Sequence, residues 1–480
     1  MGNMIQYSGF EAFKESINTV ESFTVFMAKD GDETVIVAVP GEGCGKSGAD
    51  LGFKGIALEN GKFRAPLNHK NAVVLRSLFP FTAPVRGLER PRSFGLGDRL
   101  GIAAPGHIKL LKNLDVFPVF AQQSIRELNL TSRNYEDVLD AATFAVFREG
   151  YKKGFGADGD HLKTVQDLEY ALSLGFSMIT LDCSDHIKNN VTLDNAPSLP
   201  AQYKDKYLNK QFDIGEGITL VFSEGELKQC AAIYGEAIRF AADMYQRFFL
   251  QGNYRADFEI SIDETVSVTT PVQHFFVARE LLDAGVSFVT IAPRFCGEFQ
   301  KGIDYKGDII QFTKEIKIHA AIARHFGYKL SIHSGSDKFS VFPAIGRETR
   351  GVFHIKTAGT SWLEAMRVVA LIDPSLYREI HSYALSVFGE AAKYYSVTAD
   401  LSRIPDISAL KDEELPGLFE NNDARQLIHI TYGFILNRKN PDGSFTFKDH
   451  LYKLWRDNEE AYSSALVKHL GKHSELLGIA

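Results

Sequence analysis

Between residues 93 and 356 eight short apolar segments alternate with longer, mostly amphipathic stretches, and this rhythm constrains the fold more than any other feature of the chain. Such alternation is the mark of parallel βαβ units, and eight parallel strands suffice to close a (β/α)8 barrel. The strand candidates are 93–95, 116–121, 154–157, 177–182, 258–262, 288–292, 329–333 and 352–356. Between them, residues 135–149 carry Val138, Leu139, Ala142, Ala145 and Val146 at helical three-and-four spacing. Ser223 and Glu226 form a capping box that opens a helix over 226–249, and the periodic stretch 308–326 is closed by Gly327.

The expected organisation is a TIM-type catalytic barrel over 91–372 with a polar insertion at 186–221. A small α/β region over 1–90, with strand-like 23–27 and 35–39, precedes it, and a helical extension over 373–480 follows. The chain has 480 residues, 45% hydrophobic and 24% charged, a globular profile for which one decorated barrel is a reasonable size.

Net charge −7 leaves no global field for nucleic acid or an anionic membrane, so an anionic substrate must be met by local Arg and Lys. Cys44, Cys183, Cys230 and Cys296 show no CxxC spacing, which points to a reducing, cytoplasmic setting rather than a disulfide framework. No apolar run reaches transmembrane length, the first twenty residues lack a signal-peptide core, and MGNMIQ has Gln6 where myristoylation wants Ser or Thr. A homo-oligomer is compatible with all of this.

Two glycine motifs mislead. Residues 41–47 end in GKS after an apolar run, but the position that must be the first glycine of a phosphate loop is Pro40, which has no amide hydrogen. Gly154, Gly156 and Gly159 satisfy GxGxxG, yet the run follows a helix and is followed by Asp160 and His161, not by a helix start for a pyrophosphate.

Ionisable residues collect at the strand ends: Asp160 and His161, then Asp182, Asp185 and His186, then Asp263 and Glu264, Arg294, His333, and His354 with Lys356. In a barrel these ends converge on one mouth. Imidazoles with a nearby carboxylate are the usual ligands of Zn, Mn, Ni, Fe or Co. His161, His333 and His354 are the expected ligands of a divalent cation, with Glu264 and Asp263 in reserve. His107, His274, His319 and His325 read as core or outer-face histidines. His333 begins HSGSDK, a glycine-bearing turn whose amides could hold an anionic oxygen, while 298–306 is a polar loop placed like a substrate lid.

SFGLGDRLG (93–101), FPVFAQQSIRE (117–127), GFGADGDHLK (154–163), SIDET (261–265), KGIDYKGD (301–308), IHSGSDKFSV (332–341), FHIKTAGTS (353–361) and QLIHITYG (426–433) together resemble the tagaturonate/fructuronate epimerase family, UxaE. The likeness covers nearly the whole chain and is weakest over the first ninety residues. It implies a metal-dependent isomerase that interconverts two keto-hexuronates. It further implies an acid/base Asp and a metal-binding His at Asp160 and His161, and a second acid/base Glu at Glu264. Arg294, Lys306 and Lys338 are the expected partners of the substrate carboxylate, joined in the substrate-binding set by Gln122 and Lys163. An aldose–ketose isomerase on the same barrel, a non-catalytic sugar-acid binder and a class II aldolase relation are the competing readings.

Overall fold

The structure, a computed structural model, describes residues 4–192 and 195–479. Met1, Gly2 and Asn3 of the MGNMIQ segment, and two residues of the 186–221 insertion, lie outside the described residues.

Eight parallel strands form a closed barrel: β1 (Arg92–Leu96), β2 (Phe117–Ser124), β3 (Gly156–Leu162), β4 (Met178–Asp182), β5 (Asp257–Ile262), β6 (Thr290–Pro293), β7 (Lys329–Ile332) and β8 (Phe353–Thr357). Closure is made by β8 against β1, where His354 pairs with Ser93 and Lys356 with Gly95. Every residue of β2, β4, β5, β6, β7 and β8 is buried, as expected of strands covered by helices outside and filled by side chains inside.

The covering helices are α1 (Ala104–Leu111), α2 (Tyr135–Arg148), α3 (Val165–Ser173), α4 (Glu224–Tyr245), α5 (Pro271–Asp283), α6 (Ile309–Phe326), α7 (Phe342–Glu348) and α8 (Thr360–Ile372). Their boundaries follow the local chemistry. Ser223 and Glu226 cap α4 reciprocally, Asp308 accepts two amide hydrogens at the start of α6, and Gly327 ends α6 in a left-handed conformation at φ 78°. The α4 helix does not run on regularly to 249; it passes into a π-helical turn at Gln246–Gln251.

Strand β3 departs most from its expected span. It starts at Gly156 and runs on through Asp160 and His161, so these two residues lie on the strand and not after it. A bulge between Gly159 and Leu162 puts His161 at φ 55°, and the alternation of inward and outward side chains is broken there. Residues 41–47 leave a strand as a turn with no helix behind them.

Before the barrel lies a seven-stranded antiparallel sheet running from Met4–Tyr7 to Phe63–Pro66, followed by the helix His69–Leu78. One of its faces, with Phe13, Met27 and Ile36, packs in one cluster with Leu75 of that helix and Phe147 of α2. After the barrel, α9 (Pro374–Ala391) leads to further short helices and to α10 (Glu459–Leu476), which packs on α1 and α8. Tyr207 and Phe212 of the insertion, with Phe222 just beyond it, pack on Phe275 and Phe276 of α5, and Tyr207 donates to Glu280 at 2.5 Å.

Candidate active site

The barrel interior is polar at its carboxyl end. Lys356 on β8 reaches Asp158 at 2.6 Å, Asp160 at 2.8 Å and Glu259 at 2.9 Å. Thr180 of β4 donates to Asp158, and Thr290 of β6 donates to Glu259 at 2.6 Å. Buried charges persist only when paired and hydrogen-bonded, and here one ammonium holds three carboxylates from two strands. Burial pushes the Asp158 carboxyl up to about 6 against the pull of Lys356. Burial acts the same way on Asp160 and Glu259, but Lys356 and the neighbouring histidines outweigh it and hold both well below the ordinary carboxylate range.

Above this floor stand two imidazoles. His161 bonds Asp160 through Nδ1 at 2.8 Å; His333 bonds Glu259 through Nε2 at 2.8 Å and faces Asp263 through Nδ1 at 3.0 Å. Burial works against the imidazolium of His161, yet Asp160 carries it up to about 10. His161, Asp263 and His333 offer three ligand atoms that all lie within 4.8 Å of one another. Each histidine already has one ring nitrogen fixed by a carboxylate, the arrangement that orients metal-bound imidazoles. Two nitrogens and one carboxylate oxygen fit Zn, Mn, Ni, Fe or Co.

His354 is not in that group. It lies two residues before Lys356 on β8, deeper in the barrel, with Nδ1 at 2.9 Å from Ser93 Oγ, and burial brings its pKa down to about 3. Asp263, expected only in reserve, takes its place.

A cleft of about 450 Å³ opens above the group, lined by Gln122, Arg126, Asp160, Lys163, Glu264 and Lys301 among others. Gln122 can enter it because the facing residue is Gly95, where a Cβ would lie 1.8 Å from Gln122 Oε1. Glu264 stands exposed at the rim, 3.9 Å from Arg126. Lys163 is bound to Ser184 at 2.9 Å and Asp185 at 2.7 Å. A second lobe continues past Arg294, Gln300, Tyr395 and Thr398.

Three expected contacts to a substrate carboxylate need correction. Lys338 is fully buried, and its three donors go to the carbonyls of Gln300, Ile303 and Ser336 at 2.6–2.8 Å, so it anchors the 298–306 loop from behind. Lys306 is exposed, donates to Thr398 at 2.9 Å and lines neither lobe, although Glu298, its backbone partner across the loop, lines the second. Arg294 reaches only the second lobe, where Nη1 donates to the Thr265 carbonyl. The turn after His333 is likewise committed inward: Gly335 N donates to the Lys356 carbonyl and Asp337 N to His473. His186 stacks on Phe240, 4.1 Å between ring centroids. His107, His274 and His319 are buried with partners at 2.9–3.0 Å, and His325 is exposed.

Arg126, Lys301, Asp158 and Glu259 were missed as site residues. Asp158 and Glu259 sit in mid-strand, where a single sequence reads as core, while Arg126 belongs to the short helix Ile125–Thr131 and Lys301 to a loop. Strand-end position marks only Arg126, two residues past Ser124, and only once β2 is seen to run on beyond residue 121.

A closed (β/α)8 barrel with a histidine–carboxylate group at its carboxyl mouth is the architecture of a barrel enzyme. A sequence profile of the tagaturonate epimerase family, UxaE, matches residues 13–477, and the chain belongs to that family. It is 46% identical over 485 residues to the tagaturonate/fructuronate epimerase of Thermotoga maritima, covering 98% of this chain and 97% of that protein. Native and glycerol-complexed crystal structures of fructuronate-tagaturonate epimerase UxaE from Cohnella laeviribosi superpose with TM-score 0.94 at 46% identity, over 98% of this chain and 97% of each of those. The chain is an epimerase of the isomerase class.

Proposed function

We propose that this protein interconverts D-tagaturonate and D-fructuronate with the help of a divalent cation held by His161, Asp263 and His333. The observation that carries the reading is that Asp160 and Glu264 line the same cleft as those three residues, from two different strand ends.

The two substrates differ at a hydroxyl-bearing carbon β to the ketone, C4 in ketose numbering, so enolisation alone cannot invert it. A base takes the C4 hydroxyl proton, the C3–C4 bond breaks, and its electrons pass into the ketone fragment as an enediolate. The C4 aldehyde turns about the bond to C5, C3 attacks its opposite face, and an acid returns the proton to the new alkoxide. A bound cation would supply Lewis-acid stabilisation of the enediolate oxygens.

The protein's own groups divide the remaining work. Asp160, kept ionised by Lys356 and His161 at the cleft floor, suits proton acceptance on one face. Glu264, from the β5 end of the same cleft, is the second carboxyl group placed to exchange a proton on the other face. Gln122 lies in the same wall and offers an amide to the sugar hydroxyls.

No helix among the described residues is long and apolar enough to cross a membrane, and all four cysteines are free, which supports a reducing, cytosolic setting. The decisive experiment incubates cation-loaded and chelated protein with D-tagaturonate and follows D-fructuronate by NMR. Turnover by the loaded form alone is expected; equal turnover after exhaustive chelation removes the cation from the reading, and stable three-carbon products replace epimerisation by aldol cleavage.

A further inference from the structure

We infer that Arg126 and Lys301 form the anchor for the substrate carboxylate, at the waist where the two lobes of the cleft meet. The inference rests on the epimerase reading above and assigns the residues that select an acid over a neutral sugar.

Both lobes share Arg126, Asp263, Glu264, Lys301, His333 and Ser334. Lys301 Nζ donates to Ser334 Oγ at 3.0 Å, one residue beyond His333. Arg126 Nη2 stands 3.9 Å from Glu264 Oε1, one residue beyond Asp263. Each cation therefore abuts the residue that follows a candidate metal ligand, on the mouth side of the group.

The cleft's other cations are committed. Lys356 holds three carboxylates, Lys163 is paired with Asp185 at 2.7 Å, and Arg294 binds the Thr265 carbonyl in the outer lobe. Among the described residues Lys301 forms no ion pair, and Arg126 has only the long contact to Glu264. Glu127, next in sequence to Arg126, is taken by Arg99, whose Nε and Nη2 lie 2.9 and 2.8 Å from its Oε1. Arg126 Nε is buried without a partner, and the guanidinium lies over the Tyr395 ring at 4.9 Å, which fixes its plane. Burial first, and then the nearby Arg126 charge, lower the pKa of Lys301, against the pull of Glu127 and Glu264. A planar two-pronged donor beside a point charge is the arrangement that takes a carboxylate.

The position suits the chemistry. With C6 held at the waist and the ketone end at the histidine group, C4 lies between them. After C3–C4 cleavage the aldehyde fragment stays tethered by its carboxylate while its carbonyl carbon turns.

The test measures calorimetric binding of D-fructuronate and of D-fructose, its neutral counterpart, to cation-loaded wild-type protein and to Arg126→Met, Lys301→Met and Lys301→Arg, with KM and kcat where turnover is seen. Wild type should prefer the uronate, each Met variant should lose roughly 10- to 100-fold of uronate affinity, and D-fructose binding should change less than about three-fold, well below one charge-assisted bond. Lys301→Arg should restore most of the preference. Uronate affinity unchanged in both Met variants, or uronate and neutral sugar weakened alike, overturns the anchor. A wild-type protein that prefers the uronate in this way but never epimerises it leaves the anchor standing and removes the parent reading instead.

Discussion

His333 Nε2 lies 2.8 Å from Glu259 Oε1, and the same oxygen lies 2.9 Å from Lys356 Nζ. Glu259 therefore orients the His333 ring, whose Nδ1 lies 3.0 Å from Asp263, and in the proposed cation site it would be the partner that holds Nε2–H. Glu259→Gln should weaken metal affinity about 10- to 100-fold, measured by competition against a chromophoric chelator. Unchanged affinity removes that orienting role.

The three candidate histidines should separate by metal content. His161→Ala and His333→Ala are expected to purify with little bound metal after dialysis against trace cation, while His354→Gln keeps a full equivalent, because His354 bonds Ser93 below the group. Elemental analysis of the three proteins decides it, and metal loss from His354→Gln would return that residue to the ligand set.

Proton transfer should be separable from folding. Asp160→Asn and Glu264→Gln should each lower kcat by about 10²-fold or more, with unchanged circular dichroism. Near-wild-type kcat in both variants would sink the acid/base assignment.

Lys356 is the counter-ion of the barrel floor. Lys356→Met would leave Asp158, Asp160 and Glu259 facing one another in a buried space, and should cost about 3–5 kcal/mol of stability. Urea unfolding of wild type and variant gives the difference; a loss below experimental error would mean that the carboxylates are neutralised by other means.

A second cluster joins α10 to the barrel. His469 lies between Asp337, through a short Nε2 contact, and Glu364 at 3.2 Å; Arg425 binds Asp337 at 2.6 Å, and His473 uses both ring nitrogens on backbone groups. Burial opposes the imidazolium of His469, but Asp337 raises its pKa, while Asp337 itself is held well below its usual range against burial by Arg425 and His469. A raised histidine contributes stability in full below its unfolded pKa of about 6.5 and loses it as pH rises through the folded value. A depressed Asp contributes above about 3.9 and loses it on acidification. Stability should thus decline from neutrality upward in wild type more than in His469→Gln. Parallel profiles from pH 5 to 9 in denaturant unfolding would show that His469 is not protonated in the fold.

The strands were legible because each carries its own apolar run and stop. Capping at Ser223, Asp308 and Gly327 was legible for the same reason, since those contacts span at most four residues. The depth of a side chain was not. His354 and His333 both look like strand-end histidines, yet one lies on β8 two residues before Lys356 and the other follows the end of β7. Lys338 and Lys301 are both lysines in glycine-bearing turns, and only the surrounding carbonyls show that the first is a buried brace and the second faces the cleft.

The amino-acid order by itself determined the barrel, through short apolar runs alternating with stretches of period 3.6, and the stock of carboxylates, imidazoles and cations delivered to its mouth. Tertiary structure alone decided which of them meet: the bulge that turns His161, the layer in which Lys356 gathers three acids, and the pairing of Glu127 with Arg99 beside an Arg126 left only a long contact to Glu264. Local pattern records which face a residue occupies. Contact across the barrel depends on strand stagger and on neutralising every buried charge, and both are properties of the whole closed sheet.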